Sequence, residues 1–210
     1  MLSTTSGKKV DVQVFVTTQE AVEENYAAGK WFSLSKYQNK EAFIAAASKY
    51  VAANIRGLDH VLYFANKRAD FEVFEAFINT DDVSRQIWEA LKMSDSELKL
   101  VDGWYSFYGV ADGGVADTLE VAKRTFEGYF EDEEAYAAAY LKKYGASDAL
   151  IDSLREHSRA NQDDNLSVVA AKHNANDDVI NLLCDHTSLQ KAGEWFVEGS
   201  FCHKGLYFEM

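Results

Sequence analysis

Four successive carboxylates, Glu131, Asp132, Glu133 and Glu134, form the densest group of chemistry-bearing side chains in this sequence. Glu127 lies one helical turn before them, and Asp117 and Glu120 precede it. Further upstream come Glu72 and Glu75, Asp81 and Asp82, Glu89, Asp95, Glu97, Asp102 and Asp112. Carboxylates three or four residues apart on a helix stand about 5–6 Å from each other, comparable to the phosphate spacing along a nucleic-acid strand. Duplex DNA carries about one charge per 1.7 Å of axis, so a protein imitating it needs a long stripe of such groups. Like-charged neighbours cost roughly a few tenths of a kcal/mol per pair. A chain that keeps many of them either uses their collective field or simply carries solvated helix faces that serve solubility.

Other chemistry is thinly represented. Asp112-Gly113-Gly114 with Asp117 and Glu120 supplies some oxygens of a calcium loop, but not the alternating ligands or the closing Glu. Cys184, His186, Cys202 and His203 could be drawn as a zinc quartet. Yet Cys202 and His203 are adjacent on an expected strand, where they point to opposite faces, and the spacing departs from a paired-ligand knuckle. Buried free cysteines are therefore expected, with no metal and no cofactor. Five histidines (His60, His157, His173, His186, His203) are scattered, and neither a nucleophile elbow nor a zincin pattern occurs. No Gly-rich phosphate loop is present. Among so many carboxylates, no one pair is informative about acid–base work. The sequence thus points to no enzyme and to no catalytic residue. Trp31, Trp88, Trp104 and Trp195, with the Tyr and Phe residues, read mainly as core, while Tyr105, Phe107 and Tyr108 offer an alternative contact surface.

The charge balance narrows the partners. Across 210 residues, 34 acids face 21 bases, a net charge of −13, and 47% apolar content excludes disorder as a description of the whole. Residues 1–68 are net +3 and residues 69–210 net −16. The acidic part repels nucleic acid, whose backbone needs Lys and Arg, and concentrates basic partners. Two cysteines are too few for a disulfide framework, the opening MLSTTSGKKV lacks the apolar stretch of a secretory signal, and no 18-residue apolar run exists. A soluble cytoplasmic protein without membrane contact is expected.

The elements that must position these groups read as α+β. Residues 1–68 give a first domain. Val10 to Val16 is a strand, Asn25 to Gly29 a turn in which Gly29 takes positive φ, and Lys30 to Leu34 a second strand. Asn39 caps a helix from Lys40 to about Ile55, which Gly57 stops, and Val61 to Phe64 returns as a third strand. Residues 69–112 form a mainly helical middle. Phe71, Phe74, Phe77 and Ile78 recur at helical spacing, and Asp81-Asp82 suit the start of a helix carrying Val83, Ile87, Trp88 and Leu91. Asp102-Gly103 marks a turn, Trp104 to Tyr108 is open between strand and helix, and Asp112-Gly113-Gly114 is the clearest break. Residues 113–210 form a C-terminal α+β domain. Helices are expected over Thr118–Phe130, Glu133–Tyr144, Ser147 to about Arg159, and Ser188–Val197, with a closing hairpin Phe201–Phe208 turning at Lys204-Gly205.

Several stretches carry a resemblance. Val14-Phe15-Val16, then Tyr26-Ala27-Ala28-Gly29-Lys30-Trp31-Phe32-Ser33-Leu34, is similar to the opening of the ArdA family of antirestriction proteins, with its strand, Tyr-x-x-Gly turn and Gly-x-Trp strand. Phe71 to Phe77 and Asn79 to Leu91 resemble the family's short acidic segment and Asn-led helix. Phe126-Glu127-Gly128-Tyr129-Phe130 before Glu131 to Tyr136 resembles its aromatic and acidic third-domain stretch. Cys184-Asp185-His186 through Glu194-Trp195-Phe196 to Gly205-Leu206-Tyr207-Phe208 is similar to its closing helix and hairpin. This chain is longer than that pattern, with an insertion near 145–178, and its first domain is slightly basic where the resemblance implies acidity. The resemblance implies an elongated multi-domain chain of small three-stranded antiparallel sheets with packed helices. It further implies a homodimer whose acidic surface mimics duplex DNA and occupies the DNA-binding groove of type I restriction-modification enzymes, carried on mobile genetic elements. The acids named above, from Glu72 to Glu134 with Asp102 excepted, would then be binding groups acting collectively, with no catalytic residue among them. The competing expectation is an acidic interaction module for some other basic nucleic-acid-binding protein.

Overall fold

The computed structural model describes residues 10–24, 28–55, 61–160, 164–197 and 200–209, without the side chains of 201 and 209. The chain is α+β and divides into two compact units, Met1–Arg124 and Thr125–Met210.

In the first unit, β1 (Val12–Thr18) runs into a short helix α1 (Gln19–Glu23), followed by β2 (Lys30–Ser33), α2 (Lys40–Asn54) and β3 (Leu62–Ala69). The antiparallel order is β2-β1-β3, with β1 central. Its alternation sets the faces: Val12, Val14 and Val16 are fully buried, whereas Gln13 and Phe15 lie on the opposite side. Asn39 starts α2 as expected, its Oδ1 accepting from the backbone N–H of Ala42. The helix lays Phe43, Ala47 and Val51 on the sheet. Gly57, the expected stop, and most of the 25–29 turn lie outside the described residues. Gly29 itself does not take positive φ. It is required by close approach, because a Cβ there would run into the Phe15 ring and sit 2.9 Å from the Val16 carbonyl oxygen.

The aromatic run at 71–77 is a 3₁₀ helix, Glu72–Phe77. Asp81 and Asp82 do not open a helix. Ile78 and Val83 bridge instead, the Asn79 N–H donates to the Asp82 carbonyl, and α3 spans only Gln86–Ala90. Then come α4 (Asp95–Tyr108) and α5 (Val115–Thr125). Asp102-Gly103, expected as a turn, sits inside α4, and 104–108 is helical. The local turn preference loses because Asp102 is buried and its Oδ1 accepts from the Val73 N–H at 2.9 Å, satisfying an orphan donor at the start of the 3₁₀ helix. One apolar cluster runs from Val12 through Phe43, Phe64 and Trp88 to Leu98, Val101 and Leu119. Residues on both sides of positions 68 and 112 therefore share a single core, and the division between compact units falls after Arg124.

The second unit opens with β4 (Phe126–Tyr129), where the sequence favoured the end of a helix. Helices α6 (Glu133–Lys143), α7 (Asp148–Arg159), α8 (Leu166–Lys172), α9 (Asp177–Leu182) and α10 (Leu189–Phe196) follow, then β5 (Ser200–His203) and β6 (Leu206–Glu209). Caps set the helix starts: Ser147 Oγ accepts from the Leu150 N–H, and Ser188 Oγ from that of Lys191. The antiparallel order is β4-β6-β5, so the closing hairpin captures a strand that precedes it by some 70 residues. Lys204 and Gly205 have φ of 50° and 82°, the two positive values that a type I′ hairpin turn needs. The 145–178 stretch supplies Leu150, Ile151, Leu154, Leu166 and Ala170 to this unit's core, beside Tyr136, Leu189, Phe196 and Tyr207.

Candidate acidic interface

The fifteen acids singled out from sequence separate into groups once their surroundings are known. Eleven are exposed: Glu72, Glu75, Asp81, Asp82, Glu89, Asp95, Asp112, Asp117 and Glu120 in the first unit, Glu131 and Asp132 in the second. Glu97, Glu127, Glu133 and Glu134 are partly covered.

Six of the fifteen make ion pairs. Lys40 holds Asp82, and Lys67 reaches Glu75 at 3.8 Å. Lys123 lies 3.2 Å from Glu97 and 3.8 Å from Glu120. Lys143 bonds Glu127 at 2.7 Å, and Arg155 meets Glu134 at 3.1 Å. The exposed pairs among these contribute little to stability, but every pair cancels one local charge. Glu97 also serves the start of α4. Its carboxylate accepts from the Ser94 N–H and hydroxyl while Ser94 Oγ accepts from the Glu97 N–H, and the bonds to the carboxylate from Ser94 and Lys123 hold it below its ordinary pKa. Asp132 caps α6 through the Ala135 N–H, and Glu133 accepts from Gln190. Asp81, Glu89, Asp95, Asp112, Asp117 and Glu131 are outward carboxylates with no ion pair among the described residues.

Glu127 is placed where no partner could use it. Its side chain is only 7% exposed. It ties three elements together, accepting from the Tyr136 phenol of α6, from Ser200 Oγ of β5 at 3.0 Å, and from Lys143. Burial pushes its carboxyl pKa up, but the bonds from Lys143, Tyr136 and Ser200 outweigh that and hold it below the ordinary value. Burial and the same carboxylate push the Tyr136 phenol well above its ordinary value.

No family model matches the chain, and neither a curated protein nor a solved structure is significantly similar to it.

The remaining candidates fall into place by surroundings. Cys184 and Cys202 are free, as expected, but Cys184 is exposed and Cys202 half-buried, so their burial is not as expected. Among the described residues no three His, Cys, Asp or Glu side chains are grouped to hold a metal ion. His157 is buried at the end of α7, its Nε2 3.0 Å from the Asp164 carbonyl oxygen, and His60 lies outside the described residues. Tyr105 packs against the first core, whereas Phe107 and Tyr108 are about half exposed, at 51% and 50%. No helix among the described residues is long and apolar enough to cross a membrane.

A cluster of a different kind sits on the first sheet. Phe15 and Trp31 stand edge-to-face at 5.5 Å, and the Arg68 guanidinium lies 4.2 Å from the Trp31 ring centre. The sequence signal was available in the period-two alternation that sends Val12, Val14 and Val16 one way and Gln13 and Phe15 the other.

Proposed function

We propose that this protein is an acidic decoy: an antirestriction DNA mimic whose carboxylates occupy the DNA-binding groove of a type I restriction-modification enzyme. The observation that carries this reading is the outward display of carboxylates in both units. The first unit has a net charge of −4 and the second −9, and neither sum is altered by internal ion pairing. Charge of that sign competes for a positively charged groove, speeds encounter at low salt and loses its advantage as salt is added. The acids act as collective binding groups without a catalytic residue or cofactor. In this reading the protein works in the cytoplasm as a homodimer, which is what the ArdA resemblance implies.

Ion pairing narrows the contact set to Asp81, Glu89, Asp95, Asp112 and Asp117 in the first unit, with Glu131 and Asp132 in the second. That shortening favours a second reading, an acidic module for another basic nucleic-acid-binding protein, which needs a patch rather than a duplex-length track. The test is inhibition of a panel of type I enzymes by the purified protein across a salt series. The decoy reading expects stoichiometric inhibition that falls steeply with salt. It also expects stepwise loss as Asp81→Asn, Glu89→Gln, Asp95→Asn, Asp112→Asn and Asp117→Asn are combined, with little effect from Glu75→Gln. Failure to bind any type I enzyme at low ionic strength would end it, and capture of basic proteins lacking methyltransferase subunits would select the second reading.

A further inference from the structure

The turn after α6 and the turn after α8 are built alike, bond for bond. At the first, the Ala146 N–H donates to the Leu141 carbonyl and the Gly145 N–H to that of Lys142, each at 3.1 Å. At the second, Ala175 donates to Ala170 and Asn174 to Ala171, each at 3.0 Å. Both are Schellman motifs, which need one residue in the left-handed region, and Gly145 and Asn174 supply it with φ of 95° and 54°. Two residues further on, Ser147 Oγ accepts from the Leu150 N–H and Asn176 Oδ1 from the Val179 N–H, so each turn ends in a side-chain cap. Every counterpart lies 29 positions along the chain.

The match runs on into the helices. Leu141, Leu150 and Leu154 are buried, as are their counterparts Ala170, Val179 and Leu183. Residues 142–145 and 147–149 are exposed, and so are 171–174 and 176–178, with Ala146 and Ala175 alike half-buried between them. Six of the eighteen positions from 141 to 158 hold the same residue as those from 170 to 187, among them Asp148 and Asp177, Ile151 and Ile180, and His157 and His186. The outward positions have diverged. Lys142, paired with Asp148 at 2.5 Å, corresponds to Ala171, and Arg155, 3.9 Å from Asp152, corresponds to Cys184. The two turns also touch, the Asn176 amide donating to the Tyr144 carbonyl at 2.7 Å.

We infer that residues 141–158 and 170–187 are two copies of one helix–turn–helix unit, so that the added length of the C-terminal part is duplicated scaffold, removable or repeatable in steps of 29 residues. Schellman turns and caps are common singly. A constant offset through turn, cap, burial and apolar phase together is what copying a segment leaves behind. Repeats of this length stack so that each packs on its neighbour and contributes stability nearly by itself. Excision of 147–175 joins Ala146 to Asn176, and α9 then follows the α6 turn. Val179, Ile180 and Leu183 enter the places of Leu150, Ile151 and Leu154. The inference goes beyond the decoy reading and does not rest on it, since none of the contact acids named there falls within 147–175.

The test compares three chains with the parent by far-ultraviolet circular dichroism and by hydrogen exchange of the β4 and β6 amides. Excision of 147–175 keeps β4 and β6 protected as in the parent, and the helical signal falls by the 12 and 7 residues of α7 and α8. Insertion of a further copy of 147–175 after Ala175 keeps that protection and adds the same signal. Excision of 151–177 leaves a hybrid helix two residues out of phase, a rotation of about 200° that turns its apolar residues to solvent, and protection is lost. Protection retained by either in-register chain and lost by the out-of-phase chain supports the duplication. Loss of protection in both in-register chains, or its retention in the out-of-phase chain, overturns it.

Discussion

The two units each build a three-stranded antiparallel sheet, yet they hold it together by different means. In the first, all three strands come from the opening 69 residues, and the helix between them closes an aromatic box. Phe43 sits fully buried with Phe32 and Phe64 at 5.9 Å, Tyr37 at 5.7 Å and Trp88 at 6.2 Å. In the second, β4 joins a hairpin that arrives only at the chain's end, and the join is fastened by a covered polar knot, Glu127 with Tyr136, Ser200 and Lys143. Apolar packing is tolerant of small shifts, whereas a carboxylate with three donors is satisfied in one arrangement only. The difference teaches that a register assembled from sequence-distant strands is set here by directional bonds.

Three substitutions sharpen or break that contrast. The largest effect is expected from Phe43→Ala, which empties the centre of the box and should cost about 3–5 kcal/mol in urea unfolding. If the loss is below 1 kcal/mol in order of magnitude, the box is not what holds the first unit. Next comes Gly193→Ala in α10. Glycine to alanine in a helix interior ordinarily stabilises, but a Cβ at Gly193 would collide with the Glu133 backbone carbonyl, where α10 crosses α6. Destabilisation of about 1–3 kcal/mol is expected, and a rise in melting temperature would refute the close crossing. The smallest is Glu127→Gln, with a cost of about 1 kcal/mol at neutral pH and a signature in acid. The folded carboxyl is depressed below its ordinary 4.5, so its contribution is fully present above that value and is lost as pH falls through the folded pKa. The gap between parent and variant should therefore be widest near neutrality and shrink below about pH 4.5. A gap independent of pH would show that the knot works by shape and not by charge.

Local signals were legible where one residue type suffices for one geometric task. Asn39 caps a helix, Val12 to Val16 alternates across β1, and Lys204-Gly205 turns the last hairpin, each as the sequence reads. Signals failed where a distant partner outweighed them. Asp102-Gly103 looks like a turn until the Val73 N–H needs an acceptor inside the core. Phe126 to Tyr129 continues a helical apolar rhythm until Leu206–Glu209 offers a strand to pair with.

The candidate site divides along the same line. Sequence alone determined the class of fold, the caps, the sum of charge and its asymmetry, because these depend on residue identity and near neighbours. Which carboxylates face outward was not determined there. Tertiary structure sent Glu127 inward and matched Lys40, Lys67, Lys123 and Arg155 to Asp82, Glu75, Glu97 and Glu134. It also set Phe15, Trp31 and Arg68 side by side. The reason is that burial and ion pairing are fixed by distances across tens of residues of chain, and side-chain spacing along a helix or strand carries no information about them.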